Sequence, residues 1–454
     1  MKMKQKFDNK SSTGFAEGDV NFSPQRKEWA KTHIGTKTQK LVDEDAEFFL
    51  HQSLSSPCLN VINKSEGVYL EDIQGRKIMD FHGNSVHQVG HGHPRVVNAI
   101  KDQLDQLPFC PRRYTNQTAI DLARKLAELA PGNLNKMLFA PGGTNAIGMA
   151  LKLARYATGR HKTISMWDSF HGASLDAISI GGEGLFRKDV GPLMPGSEHI
   201  PPPRLGKCHF NCPDENHDGC IEYLKYIVEM EGDIGALIAE PMRWTTVELP
   251  PKNYWKRVRS ICDENNILLI FDEIPSALGR TGKMFVCEHF DVVPDMLVVG
   301  KGLGGGIFPM AALIVRSDLD IVGDRALGHY THEKSSVGCA AALATIECLL
   351  EDKLIDNSVK LGRKGMTRLE QMKSKYPIIS DVRGLGLFFG IELTKNGKPA
   401  QKEAEEVLYH SLSNGLSYKV GGGCILTLCP PMTITEEQLN EAFDVIEAGI
   451  KEVS

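Results

Sequence analysis

Residues 266–283 read "NILLIFDEIPSALGRTGK". Ile267 to Phe271 form an unbroken apolar run that stops at two acids, Asp272 and Glu273, with Pro275 two positions further on. A short run that is apolar on both faces is the pattern of a strand buried on both sides of a parallel sheet. Three more runs repeat it: "KTISMW" from Lys162, "GALIAE" from Gly235 and "DMLVVGK" from Asp295. Between two of them, "NYWKRVRSICDEN" has helical spacing, so strands alternate with helices. The fold class is therefore α/β, with a mostly parallel sheet covered on both faces.

Ligands of such sheets collect at the carboxyl ends of the strands. Glu240 follows one run, Asp272 and Glu273 another, and Lys301 ends a third. Around Lys301 the chain reads "VVGKGLGGGIFP", a flexible glycine-rich backbone able to approach a ligand closely. A phosphate-binding P-loop needs its glycines before the lysine and Ser or Thr after it, and neither condition is met. A solvated loop lysine is the simple reading of this motif alone. The other reading is an amine that condenses with an aldehyde cofactor, and Asp272 favours it: a carboxylate at a neighbouring strand end could pair with a protonated pyridine nitrogen. Upstream, Gly142, Gly143 and Thr144 in "PGGTNA" make a turn into a helix, whose free N–H groups suit a phosphate. In "WDSFHGASLDA", Phe170 could stack on a planar ring. Each feature alone is compatible with a structural role; the set points to a cofactor site.

Composition sets the outer bounds. A chain of 454 residues with 41% hydrophobic content can bury a large core and form two domains. A net charge of -5 gives no basic excess to draw nucleic acid or anionic lipid, so a small-molecule partner is expected. The amino terminus "MKMKQKFDNKSSTGF" has no apolar segment behind its lysines, and no apolar run has the roughly 18–20 residues of a membrane span. A cytoplasmic protein is expected. The 11 cysteines, an odd number, argue for reduced thiols rather than a disulfide framework. "KCHFNCPDENHDGC" gathers Cys208, His209, Cys212, His217 and Cys220, but at spacings of no common zinc finger, so they read as coincident loop residues and no metal is expected. The first 40 residues are polar and aperiodic and read as an arm or disordered tail.

Taken together, "GVYLEDIQGRKIMDF", "GHGHPRVVNAI", "PGGTNA", "FHG", "AEP", "FDEI…GRTGK", "GKGLGGG" and "PPMTIT" resemble the class III aminotransferase family of pyridoxal 5'-phosphate (PLP) enzymes, from about residue 57 onward. The resemblance implies the PLP-dependent transferase fold type I and a homodimer with its active site at the subunit interface. It further implies an arm (1–40), a small domain from both chain ends (41–80 and 331–454) and a large PLP-binding domain (81–330). Lys301 would carry the cofactor and shuttle protons, Asp272 would face the pyridine nitrogen, and Phe170 would cover the ring. Gly143 and Thr144 would hold the phosphate, joined by Thr331 from the other subunit.

The departures from the family pattern bear on substrate. Members acting on α-amino acids carry a glutamate and an arginine that open as a carboxylate gate; here Thr245 and Thr427 stand at those positions. Losing both is physically coherent, because one charge left alone in a buried site is costly. Pro275 replaces a glutamine that contacts the ring oxygen, and proline has no side-chain donor. Arg243 and Lys334 replace uncharged residues, and Arg112 and Arg113 add charge upstream. These four are the candidate ligands of an anionic group such as phosphate or phosphonate. The pattern is similar to that of a lyase branch acting on phosphorylated or phosphonate amines, which implies release of ammonia from a 2-aminoethylphosphonate-type amine. An ω-amine:keto-acid aminotransferase is the alternative. A PLP-dependent regulator would need a DNA-binding module, for which the arm is too short.

Overall fold

A computed structural model of the chain describes residues 23–53, 55, 58–204, 208–212 and 217–454. At its centre is a seven-stranded sheet, in the order Leu134–Ala140, Ala311–Arg316, Met296–Val299, Leu268–Asp272, Ile234–Ala239, Lys162–Met166, Ser197–Ile200. Ala311–Arg316 runs antiparallel to both neighbours, and the five strands from Met296–Val299 to Ser197–Ile200 are mutually parallel. The four apolar runs of the sequence are four of these five parallel strands.

Alternation along Leu268–Asp272 explains why the run is apolar throughout. Leu268 and Ile270 pack with Ala146, Ile147 and Ala150 of the helix Gly143–Thr158. Leu269 and Phe271 turn the other way, toward Trp255, Val258 and Leu224 of the helices Tyr254–Glu264 and Asp218–Glu231. Both faces are dry, so polar residues enter only where the strand ends.

Two smaller sheets flank this core. Ile62–Glu66, Tyr69–Asp72 and Lys77–Asp80 form antiparallel pairs, and Leu416–Ser417 adds in parallel, which ties the two ends of the chain together. Ile379–Gly384, Phe389–Lys395, Ile425–Leu428 and Lys419–Gly421 form the main path of the third sheet. The helix Ser336–Glu351 packs on Pro94–Gln106, Gln117–Leu129 and the turn at Lys301.

One expectation is corrected. Residues 24–33, within the arm, and 36–48, which run past its end, are helices rather than irregular chain. Ser23 caps the first through a bond from the Arg26 N–H, and Pro24 occupies its first turn. Trp29 is its buried residue and donates its indole N–H to Ser413 Oγ at 3.0 Å. A helix anchored by one aromatic leaves no apolar periodicity to read. Residues 1–22 lie outside the described residues. Among the described residues, no helix is long and apolar enough to cross a membrane.

Candidate active site

The carboxyl ends of the parallel strands open into a cavity of about 630 Å³, within the range of small-molecule and cofactor sites. Gly143, Thr144, Phe170, Asp272 and Lys301 all line it. Asp272 is 2% exposed; its Oδ2 takes a hydrogen bond from His171 Nδ1 at 2.8 Å, and its Oδ1 accepts from the Ile274 N–H at 3.1 Å. The second acid of the opening motif points elsewhere. Glu273 is fully buried and accepts from the N–H groups of Val286 at 2.6 Å and Cys287 at 2.7 Å. Burial pushes its carboxyl up to about 7 against the pull of those two donors. It is a structural acid.

Lys301 begins a short 3-10 turn directly after its strand and adopts φ 44°, the left-handed region that a side-chain-bearing residue seldom occupies. Burial lowers its amine below the usual lysine value, while the carboxylates of Glu240 and Asp272 act the other way. Its Nζ lies 4.7 Å from the ring centroid of Trp244.

The candidate phosphate cradle is the uncapped start of Gly143–Thr158: Gly142 stands at the N-cap and no side chain closes the helix's first N–H groups. Gly172 (φ 125°) brings the Phe170 loop onto it, and a Cβ there would lie 2.2 Å from Thr144 Oγ1. Phe170 packs on Phe186 with centroids 4.4 Å apart.

At the gate positions, Thr427 Oγ1 donates to the Thr245 carbonyl at 2.8 Å, and both residues are buried. Gly421 presses on the same carbonyl, where a Cβ would lie 1.9 Å away. Pro275 also lines the cavity, and its carbonyl accepts from Ser85 Oγ.

Of the four candidate anion ligands, Arg243 alone reaches this cavity. It pairs with Glu240, has Glu183 at 3.9 Å from Nη2, and keeps Nε and Nη2 without a hydrogen-bond partner among the described residues. Arg112, Arg113 and Lys334 do not line the cavity of their own chain. They sit on two exposed turns, where Arg112 bonds His329 at 2.6 Å and Asn116 Nδ2 donates to the Lys334 carbonyl at 3.1 Å. Thr331 is exposed on the second of these turns.

Three lining residues escaped the sequence reading. His171 follows Phe170 directly, and its Nε2 is buried without a partner among the described residues. Trp244 follows Arg243, is 6% exposed, and stands near two amines. The second amine is Lys419, 6% exposed, with Nζ 5.1 Å from the Trp244 centroid, and burial pushes it down to about 7. A lysine inside the apolar stretch before "GGG" was the available signal. In the cysteine stretch, Cys208, Cys212, His217 and Cys220 place their ligand atoms within 4.8 Å of one another, while His209 stays outside the group.

These residues suit PLP: a carboxylate for the ring nitrogen, an aromatic for the ring face, free N–H groups for the phosphate and an amine for the aldehyde. Comparison with known proteins agrees. The chain is 47% identical to the (R)-1-hydroxy-2-aminoethylphosphonate ammonia-lyase of Vibrio splendidus, over 96% of this chain and 95% of that one. It is 35% identical to a leucine/methionine racemase of Thermococcus litoralis, over 92% and 96%. An amine transaminase structure from an uncultivated Pseudomonas species, in its PLP-bound form, matches with a TM-score of 0.84 at 28% identity, over 90% and 99%. The family model "Aminotransferase class-III" matches residues 51–450. The chain belongs to the class-III aminotransferase family of PLP-dependent, fold-type-I enzymes.

Proposed function

We propose that the protein is a PLP-dependent ammonia-lyase of phosphonate breakdown, converting (R)-1-hydroxy-2-aminoethylphosphonate to phosphonoacetaldehyde and ammonia. The observation that carries this reading is the Thr427–Thr245 hydrogen bond, which fills the carboxylate gate with a neutral, self-satisfied pair. An acceptor α-keto acid has no clamp there, whereas Arg243 puts a guanidinium in the cavity wall for an anion. The relative named for this reaction supports the same reading.

PLP, when bound, withdraws electrons from the amine-bearing carbon of the substrate. Asp272 holds the proton at the ring nitrogen, and the His171 bond orients its carboxylate for that task. Lys301 Nζ takes the proton from the amine-bearing carbon; its lowered basicity favours the neutral form that this requires. Arg243 orients the phosphonate, which holds the neighbouring carbon and its hydroxyl in the cavity that Lys419 also lines. Lys419, close to neutral balance, hands a proton to that hydroxyl as it departs as water. A second water then adds where the nitrogen was bound, so the net change is loss of ammonia with no redox partner.

The active form in this proposal is a homodimer. Arg112, Arg113, Thr331 and Lys334 share one exposed region tied together through Asn116 and His329, beside the exposed apolar side chains of Phe109 and Tyr114. That surface suits completion of the partner's site, with Thr331 toward its phosphate.

The test is incubation of the PLP-loaded protein with (R)-1-hydroxy-2-aminoethylphosphonate alone. Ammonia and phosphonoacetaldehyde should accumulate in equal amounts over many turnovers. Release only on adding pyruvate would show an aminotransferase instead.

A further inference from the structure

Away from the PLP cavity, a cluster of four soft and borderline ligating side chains has no part in the proposed chemistry. Cys208 and Cys212 flank a turn after the strand Ser197–Ile200, His217 sits at the N-cap of the helix Asp218–Glu231, and Cys220 lies in that helix's first turn. The Sγ atoms of Cys208 and Cys220 are 3.1 Å apart, and His217 Nδ1 is 3.4 Å from Cys220 Sγ. All four ligand atoms fall within 4.8 Å of one another, and Cys208, His217 and Cys220 are buried. We propose that Cys208, Cys212, His217 and Cys220 bind one zinc ion as a closed, four-coordinate Cys₃His structural site.

Several independent features of the chain fit this. Zinc–sulfur and zinc–nitrogen bonds of about 2.3 and 2.0 Å place tetrahedral ligands roughly 3.5–3.8 Å apart, a spacing that lies between the cluster's shortest separation of 3.1 Å and its outer limit of 4.8 Å. No disulfide joins the pair: the sulfur separation is well beyond the bonded ~2.05 Å, and the cysteines are free. The Phe210 N–H points at Cys208 Sγ, 3.4 Å away, as a donor that supports a thiolate. Asn211 and His217 both take left-handed φ of 50°, which turns the chain so that residues on either side face inward. At Gly219 a Cβ would lie 3.3 Å from Cys212 Sγ, so the lack of a side chain lets the helix start approach the ligands. Three thiols and an imidazole are soft and borderline donors that select zinc over magnesium or calcium, and four protein ligands leave no open position for catalysis.

The site would act by holding its loop. Just upstream, Arg204 bonds Asp168 Oδ2 and Glu248 Oε2, each at 2.8 Å. Asp168 lies two residues before Phe170, and the Glu248 backbone exchanges both hydrogen bonds with Arg243. The zinc would therefore stiffen a segment leaning on the cavity wall without touching substrate.

The experiment is elemental analysis of the purified PLP-loaded protein, expressed with added zinc and separately with added iron. The expected result is about one zinc per chain under both conditions, the stoichiometry of a single closed site. A mercurial that caps thiols should release that zinc to a colorimetric chelator. Cys212→Ser and Cys220→Ser should each lose at least ten-fold in retained zinc and lower the melting temperature, with the PLP absorbance band preserved. Zinc below a tenth of an equivalent in the wild-type protein would overturn the proposal. So would iron in its place, or a Cys208–Cys220 disulfide that reduction must break before the thiols react.

Discussion

At the scale of single residues, two cations decide what the cavity can recognise and when. Arg243 is held by Glu240 and stands in the cavity wall. Arg243→Met should cost the phosphonate substrate about 2–4 kcal/mol in kcat/KM, roughly 30- to 800-fold, the range for one partner of a buried charged pair. Binding of an uncharged analogue such as 2-aminoethanol should change little; comparing the two amines separates lost anion binding from a damaged fold. Lys419 is the other cation. Burial lowers it to about 7 from a reference near 10.5, so between those values the unfolded chain holds a proton that the native chain has released. Native stability therefore rises with pH across that window, and the cost of burying the charge is complete below about pH 7. Lys419→Met should accordingly raise the melting temperature at pH 7 and give a gain that fades toward pH 10. A gain of equal size at both pH values would remove the charge from the explanation. If the same amine protonates the departing hydroxyl, this more stable variant will also be slower.

At the scale of elements, the strand Leu268–Asp272 and its turn join two jobs that the sequence presents as one acidic pair. Asp272 faces the cavity, and Glu273 turns back to hold the N–H groups of Val286 and Cys287. Its carboxyl titrates near 7 rather than 4.5, so between these values the native chain keeps a proton that the unfolded chain has lost. Stability then falls as pH rises from about 4.5 to 7, at up to about 1.4 kcal/mol per unit. Glu273→Gln should flatten that slope, and Glu273→Ala should destabilise by about 1–3 kcal/mol for each stranded N–H. Urea midpoints at pH 5 and pH 8 measure both; an undiminished slope in Glu273→Gln would place the titration elsewhere. The buried strands were legible because a run dry on both faces has no polar residue to disguise it, and Asp272 and Lys301 were legible as the charges that end such runs. The helix Pro24–His33 was not, since it buries Trp29 alone. Trp244 and Lys419 meet only because the strand Lys419–Gly421 lies over the loop after Ile234–Ala239, a tertiary contact that no local pattern records. The cysteines converge through left-handed turns at Asn211 and His217, so their spacing matches no regular motif.

At the scale of the whole molecule, the cavity of one chain has a helix start for phosphate, a carboxylate, an aromatic and an amine, yet Thr331 and the cations beside it lie on a different surface. A closed two-fold assembly would answer this geometry, because each copy would then lend its exposed turn to the other's cavity. Such sharing makes a prediction that a self-contained monomer cannot imitate. A Lys301→Ala chain lacks the amine but keeps a sound Thr331, while a Thr331→Asp chain keeps the amine and repels phosphate from its partner's cradle by like charge. Homodimers of either variant should be inactive or weak. In a one-to-one coexpressed mixture, about half of the assemblies are mixed, and each mixed pair regains one complete site, so roughly a quarter of wild-type activity should return. The visible absorbance of bound PLP should recover in parallel, which distinguishes a rebuilt site from mere rescue of folding. Activity that stays at the sum of the two separate variants would mean that each chain completes its own site, and Thr331 would then have no part in holding the phosphate.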